Sequence, residues 1–117
     1  MAAKVFVDTN VLVYSRDASE PDKQHRSMKW MKHLWETRNG RLSYQVLQEY
    51  YSTVTTKLQP GMDPRDARGD ILSLFTWRPI PVNADVIQGA WSVQDRFRVS
   101  WCDALIVAAA QAGGCDV

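Results

Sequence analysis

Three acidic residues lie at positions where a carboxylate is unusual and where it could take part in catalysis. Asp8 follows the apolar run Val5-Phe6-Val7, which has the pattern of a strand buried on both faces of a parallel sheet. Glu49 lies within an otherwise apolar helical segment, and Asp103 opens the most apolar segment of the chain. Open α/β sheets bind ligands at the carboxyl ends of their strands, so Asp8 is a candidate for a metal or phosphate site.

Each of these acids also has an ordinary structural explanation. Asp8 can form an Asx turn or cap the helix that follows it. Glu49 shares a helix face with Gln45 and can simply be solvated. Asp103 follows Ser100 by three residues, as in a capping box, and an acid in a first helical turn is favoured by the helix dipole. No single acid therefore establishes a site.

The elements that would position the acids can be predicted from apolar spacing and from capping residues. Apolar residues at helical spacing predict a helix over residues 25–38, which Asn39-Gly40 ends, and a second helix from about residue 44 to Leu58. Further helices should open at Asp63-Pro64, at Asn83 and at Ser100. The last of these, over residues 101–112, is apolar all round and should be central and buried. Short strands are predicted at residues 5–7 and 41–43, a brief extended stretch at 79–82, and the start of another strand at 115–117. This alternation predicts an α/β fold with a mainly parallel sheet between helices.

Length and composition limit the classes of protein to consider. The 117 residues suffice for one domain, and 45% hydrophobic with 23% charged residues excludes a disordered chain. A formal net charge of +1 gives no overall attraction to a polyanion, so nucleic-acid binding would need a local basic patch. Two cysteines without a CxxC pair, no signal peptide and no apolar run long enough to span a bilayer predict a cytoplasmic protein.

Three segments together resemble the motifs of the PIN-domain family. Residues 4–14, KVFVDTNVLVY, resemble the opening strand, with its Asp followed by Thr and Asn. Residues 43–51, SYQVLQEYY, resemble the second motif, a helix that carries one Glu, and residues 101–110, WCDALIVAAA, resemble the third, an Asp that heads an alanine-rich helix. The resemblance covers nearly the whole chain and implies a single PIN-like domain over residues 1–117 with a three-layer fold.

Within that family the chain is most similar to the toxins of VapBC toxin–antitoxin pairs. That resemblance implies a ribonuclease that requires Mg²⁺ or Mn²⁺, cleaves single-stranded or looped RNA, and is held inactive by a VapB-like antitoxin. It also implies a homodimer. By the same resemblance Asp8, Glu49 and Asp103 are the catalytic, metal-binding acids; Asn10 orients the Asp8 carboxylate, and Thr9 is a second supporting residue.

The chemistry of phosphodiester hydrolysis explains why three carboxylates would be needed. Hard divalent cations prefer oxygen ligands, and carboxylates from separate segments repel one another in a cleft unless a cation neutralises them. A bound ion can lower the pKa of a water and stabilise charge on the attacking and leaving oxygens. No side-chain nucleophile is then required. This agrees with the absence of a plausible Ser-His-Asp set, since His25 and His33 are expected on a solvated helix surface.

The sequence departs from the family pattern near its last residue. The family carries a fourth acid just beyond the strand that follows the central helix, whereas this sequence stops at Val117. Asp116 precedes that strand, so the role is not transferred to it. We therefore expect a domain that lacks its last strand and one carboxylate, with weaker metal binding and an exposed sheet edge.

Two other functions remain open from the sequence. The missing acid allows a PIN-like binding module that docks a partner protein or RNA without cleaving. Asp8 at a strand end also allows an aspartyl-phosphate enzyme of the haloacid-dehalogenase kind, although Asn10 stands where that family has a second Asp. The basic residues around the first long helix are interspersed with acids, which favours a mixed solvated face. Most of the Trp and Tyr side chains are expected in the core, but the sequence leaves open whether Met28, Met31, Trp30 and Trp35 belong to the core or to an interface.

Overall fold

The computed structural model describes residues 3–116. Its short strands alternate with longer helices, as the sequence predicts. The elements are β1 (Val5–Phe6), α1 (Thr9–Tyr14), α2 (Pro21–Thr37), β2 (Gly40–Arg41), α3 (Tyr44–Thr56), α4 (Pro64–Leu74), a 3-10 turn (Phe75–Trp77), α5 (Ala84–Phe97) and α6 (Trp101–Ala112).

The sheet is small and parallel. β1 pairs with β2 in the register Val5 to Gly40 and Phe6 to Arg41. Isolated backbone contacts extend it on both sides: Ile80 bridges Ser43 in parallel, and the Asp116 amide donates to the Lys4 carbonyl at 2.9 Å. The predicted mixed α/β fold with a short parallel sheet is therefore confirmed, although helices make up most of the chain. The strand prediction is only partly met: β2 covers Gly40–Arg41 and not residues 41–43, and residues 79–82 contribute only the Ile80 bridge. Residues 115–116 are not a regular strand and contribute only the Asp116 bond beside β1, while Val117 lies outside the described residues.

Capping side chains begin the helices where the sequence predicts. The Asp63 carboxylate accepts from the Arg65 amide at 2.9 Å, and the Asn83 side chain accepts from the Val86 amide at 3.0 Å. The Ser100 hydroxyl accepts from the Asp103 amide at 3.1 Å. Because these bonds satisfy amides that the helix itself leaves unpaired, the short-range pattern fixes the starts of α4, α5 and α6.

Both ends of α2 differ from the prediction. The helix begins at Pro21 and not at residue 25, because proline is favoured in the first turn of a helix. Arg38, and not Gly40, occupies the left-handed capping position, with φ 60°. Gly40 belongs instead to β2, where a Cβ would lie 2.5 Å from two ring atoms of Trp77 and 3.1 Å from the Leu34 Cβ. Glycine is required there by close packing and not by a helix cap, a tertiary reason that sequence spacing does not reveal.

This packing predicts a large loss of stability on substitution of Gly40. Gly40→Ala should reduce the free energy of unfolding by about 3 kcal/mol, because the added methyl overlaps the Trp77 ring. Gly69→Ala is the matched control: Gly69 lies in α4 with nothing within 4 Å of its Cβ position. That change should stabilise the protein by about 0.5 kcal/mol. Urea unfolding measures both, and equal effects would contradict the assigned contact.

The buried interior of α6 also differs from the prediction. Ala104, Ala108 and Ala109 are buried in a cluster with residues of α5, and Ile106 packs against the other core cluster. Val107, however, is 39% exposed. The prediction of a helix buried all round is therefore wrong, because a sheet with two-residue strands is too narrow to cover every side of it. Within residues 3–116 no helix has the length and apolarity needed to cross a bilayer.

Most of the tryptophans are predicted in the core, with Trp30 and Trp35 left open between the core and an interface, and the core prediction is wrong for most of them. Trp30, Trp35, Trp91 and Trp101 are between 38% and 56% exposed. α2 buries only Ser27 and Leu34 fully, so the apolar stripe predicted along it lies partly on the surface. Helical spacing identified the apolar face of α2 but could not show how little of that face is buried against the core.

A polar cluster joins α1, α3 and α4. The Tyr50 hydroxyl donates to the Asp70 carboxylate at 2.5 Å, and Arg16 forms an ion pair with the same carboxylate. Burial, and then the hydrogen bond to Asp70, raise the pKa of Tyr50 well above its usual range. The cluster holds the segment after α1 against α4 and against α3, the helix that carries Glu49.

Tyr50→Phe should test this cluster by its pH dependence. Because the folded state holds the Tyr50 proton more tightly than the unfolded state, the phenol contributes stability below pH about 10 that is lost as the pH rises further. The variant should lose about 1.5 kcal/mol at neutral pH. It should also show a smaller fall in stability between neutral and strongly alkaline pH than the natural protein. Thermal unfolding across that pH range measures both effects. If stability fell equally with pH in the variant and in the natural protein, the assigned role of the Tyr50 phenol would be contradicted.

Candidate active site

The three candidate acids lie on, or at the start of, three different helices of the fold. Asp8 is the N-cap of α1, and its Oδ1 accepts from the Thr9 amide at 2.6 Å. Glu49 is on α3 and is partly buried, while Asp103 is in the first turn of α6 and is exposed. Asp8 therefore caps α1, and Asp103 lies in a first helical turn that Ser100 caps. Both acids thus have the structural roles that the sequence allows for them. These roles leave the Asp8 Oδ2 and both Asp103 carboxylate oxygens without hydrogen-bond donors among residues 3–116.

A chain of hydrogen bonds links the three segments through Glu49. The Thr9 hydroxyl donates to Glu49 Oε2 at 2.7 Å, and Gln45 Nε2 donates to Glu49 Oε1 at 3.1 Å. The same Gln45 amide donates to the Cys102 carbonyl at 3.2 Å, next to Asp103. Both carboxylate oxygens of Glu49 are thus oriented. Thr9, which follows Asp8, holds Oε2, and Gln45, which also contacts the start of α6, holds Oε1.

Thr9 and Gln45 therefore position the glutamate. Thr9 is buried and carries a backbone and a side-chain bond toward two of the acids. Gln45 was noted in the sequence only as a neighbour of Glu49; its i,i+4 spacing on α3 was the signal for this contact. Asn10 is exposed in the first turn of α1, and its side chain makes no hydrogen bond among residues 3–116. Its predicted role in orienting Asp8 stays a prediction.

No cation on the described part of the chain neutralises these acids. The ion pairs among residues 3–116 join Arg16 to Asp70 and Lys32 to Glu36. His25 and His33 are exposed, as expected for solvated residues. The carboxylates of Asp8, Glu49 and Asp103 can therefore bind an external cation. Neither histidine forms a hydrogen bond with these acids in the described part of the chain, so neither is placed as a general base.

The donor set fits a hard divalent ion by its chemistry, since Mg²⁺ and Mn²⁺ take carboxylate oxygens together with water. Both hydrogen-bond donors to Glu49 are neutral groups, so neither takes the place of a cation. The distances are less favourable: within residues 3–116, no three acidic, histidine or cysteine side chains lie close enough together to bind one ion. Hydrogen bonds therefore link the three segments, but the three carboxylates are not brought together among the described residues.

Comparison with protein families finds a match that spans nearly the whole chain. A family model described as PIN domain matches residues 5–117, which include all three acids and both positioning residues. Among curated proteins, none matches the chain.

Proposed function

The chain belongs to the PIN domain family, and from that premise we propose that it is a metal-dependent endoribonuclease acting on single-stranded or looped RNA. PIN domains generally act as nucleases that use divalent metal ions. The observation that carries the proposal for this chain is the hydrogen-bond chain from Thr9 through Glu49 and Gln45 to the start of α6. That chain links the three segments whose acids the family motifs single out.

In the proposed mechanism Asp8, Glu49 and Asp103 would hold Mg²⁺ or Mn²⁺. When bound, such an ion lowers the pKa of a water and stabilises the charge on the phosphodiester oxygens. Thr9 and Gln45 fix the Glu49 carboxylate so that both of its oxygens keep one orientation. Because metal-ligand orientation depends on such bonds, these two residues would act through Glu49 and not on the RNA directly.

The partners of the protein are part of the same proposal. We infer a VapB-like antitoxin as its inhibitor and a homodimer as its assembly. A cavity of about 400 Å³ lies between α1, α2 and α4, and exposed Met28 and Trp35 line it beside Met31. Such an apolar groove suits the amphipathic helix of a partner. We also propose a cytoplasmic setting, which the free cysteines Cys102 and Cys115 support.

RNA cleavage by the whole chain, which we propose to be a single domain over residues 1–117, tests the proposed function. A fluorescent single-stranded RNA is incubated with the protein and Mg²⁺, Mn²⁺ or EDTA, and the products are separated by electrophoresis. Internal cleavage with either metal and none in EDTA is the expected result. RNA binding without cleavage in all three conditions would instead support the second candidate, a PIN-like module that docks RNA or a partner, which the incomplete acid cluster favours.

Thr9→Val should separate a positioning role from a structural one. Valine keeps the shape of threonine but leaves Glu49 Oε2 without its donor, so kcat should fall about tenfold with little change in KM. Thr9→Ser retains a hydroxyl and should recover most of that rate. Steady-state cleavage of the fluorescent RNA measures both variants. A comparable loss in the serine variant would show that the methyl group, and not the hydrogen bond, matters.

A further inference from the structure

A second cavity, which we call the arginine cleft, lies away from the candidate active site. It has a volume of about 740 Å³ and is lined by Arg38, Arg41, Arg78, Trp35 and Trp77, among others. The two indole rings pack with centroids 5.1 Å apart at an angle of 60°. No acidic residue lines the cleft in the described part of the chain. The cleft thus combines three positive charges with aromatic surface.

Two of the three guanidinium groups are free to bind a ligand. Arg41 Nη1 donates to the carbonyls of Arg38 at 3.0 Å and Gly40 at 2.8 Å, which holds this side chain against the backbone. The side chains of Arg38 and Arg78 have no hydrogen-bond or ion-pair partner among residues 3–116, and both residues are exposed. An anion could therefore bind Arg38 and Arg78 without the loss of an existing ion pair or side-chain hydrogen bond in the described part of the chain.

The backbone makes the choice of arginine at these positions notable. Arg38 and Arg78 both have left-handed conformations, with φ 60° and 53°. Glycine adopts this conformation at lower cost than any residue with a Cβ. Arg98 has the same conformation, with φ 53°, but does not line the cleft. A left-handed backbone alone therefore does not define a site. Arg38 and Arg78 differ from Arg98 because their unpaired side chains line the same cleft.

The cleft lies at the far end of α6 from the candidate active site. Gly113, which borders the cleft, directly follows α6, and Asp103 is in its first turn. Ten residues of helix place these two ends about 15 Å apart. Acidic residues thus lie at one end of the helix and arginines at the other. A flexible single strand of a few nucleotides can bridge such a distance.

We propose that the arginine cleft is a second contact for single-stranded RNA, which binds backbone phosphate on Arg38 and Arg78 and packs an unpaired base against the tryptophans. Guanidinium groups suit phosphate oxygens, and base–aromatic stacking tolerates any sequence. The volume is also in the range of sites that hold a molecule the size of a nucleotide. The inference rests on the proposed function for the identity of the ligand, and it adds a site remote from the carboxylates.

The test measures RNA binding in EDTA, where no cleavage occurs, by fluorescence anisotropy of a labelled single-stranded RNA. The variants are Arg78→Gly and the double variant Arg38→Gly/Arg78→Gly, and Arg98→Gly is the matched control. In all three the glycine fits the left-handed backbone, so charge is removed without added strain. Thermal unfolding of each variant confirms that the fold is retained.

The double variant should bind RNA about tenfold more weakly, and its slope of log affinity against log salt should fall by about 1.4, or about 0.7 for each phosphate contact. Arg98→Gly should match the natural protein. Equal losses in the double variant and the control, or no RNA binding in EDTA, would overturn the inference. So would tighter binding of a polyglutamate peptide than of RNA, lost in the same variants, since the cleft would then serve an acidic protein segment. The separate cleavage assay decides the proposed function whatever the anisotropy of the RNA shows.

Discussion

Asp8→Asn is expected to reduce RNA cleavage by about a hundredfold or more while the protein stays folded. Asparagine keeps a side-chain oxygen that can accept from the Thr9 amide, so the N-cap of α1 survives. It lacks the negative charge that a divalent ion requires. The loss should therefore appear in catalysis and not in the unfolding midpoint.

Asp63→Asn is the matched control for this experiment. Asp63 is also an exposed N-cap aspartate, which accepts from the Arg65 amide at the start of α4. The two variants make the same chemical change in the same helical position, and only one lies at the candidate site. Cleavage rates that fall equally in both would show that Asp8 acts only as a cap.

Asp103→Asn should give the second large effect, again about a hundredfold or more on the cleavage rate. Asp103 occupies the third position of α6, where the helix dipole alone would favour an acid. Its carboxylate accepts no hydrogen bond among residues 3–116, so its charge is free to meet a cation. The catalytic explanation and the structural one therefore make different predictions for the same substitution.

Asp66→Asn provides the comparison that separates them. Asp66 stands at the third position of α4, after the cap Asp63 and the helix-initiating Pro64, and is exposed like Asp103. Both substitutions should cost similar stability, about 0.3–1 kcal/mol from the lost dipole interaction. Only Asp103→Asn should slow cleavage in the fluorescent RNA assay. Full activity in Asp103→Asn would remove this residue from the site.

The features that depend on neighbouring residues could be predicted from the sequence. Caps such as Ser100, and the bounds of α6, follow from bonds formed within one turn. The order of strands and helices follows from apolar periodicity, which reports the faces that each element must bury. The three acids could be singled out because each interrupts an apolar segment.

The features that depend on distant residues could not be predicted. The contact of Gly40 with Trp77 and the Tyr50 bond to Asp70 each join separate elements. Gln45 donates to a carbonyl 57 residues away, at Cys102. Sequence spacing shows that Gln45 and Glu49 share a helix face, but only the folded chain shows which other segment that face meets. The same limit applies to the arginine cleft, because some of its lining residues precede α3 in the sequence and others follow it.

The central claim is that Asp8, Glu49 and Asp103 serve one divalent metal site, and Mn²⁺ binding tests it without any RNA. The signal of free Mn²⁺ in electron paramagnetic resonance is followed as the ion is added to the natural protein, Asp8→Asn and Asp63→Asn. We expect saturable binding in the natural protein and in Asp63→Asn, and loss of that binding in Asp8→Asn. Identical titrations for all three proteins would contradict the claim.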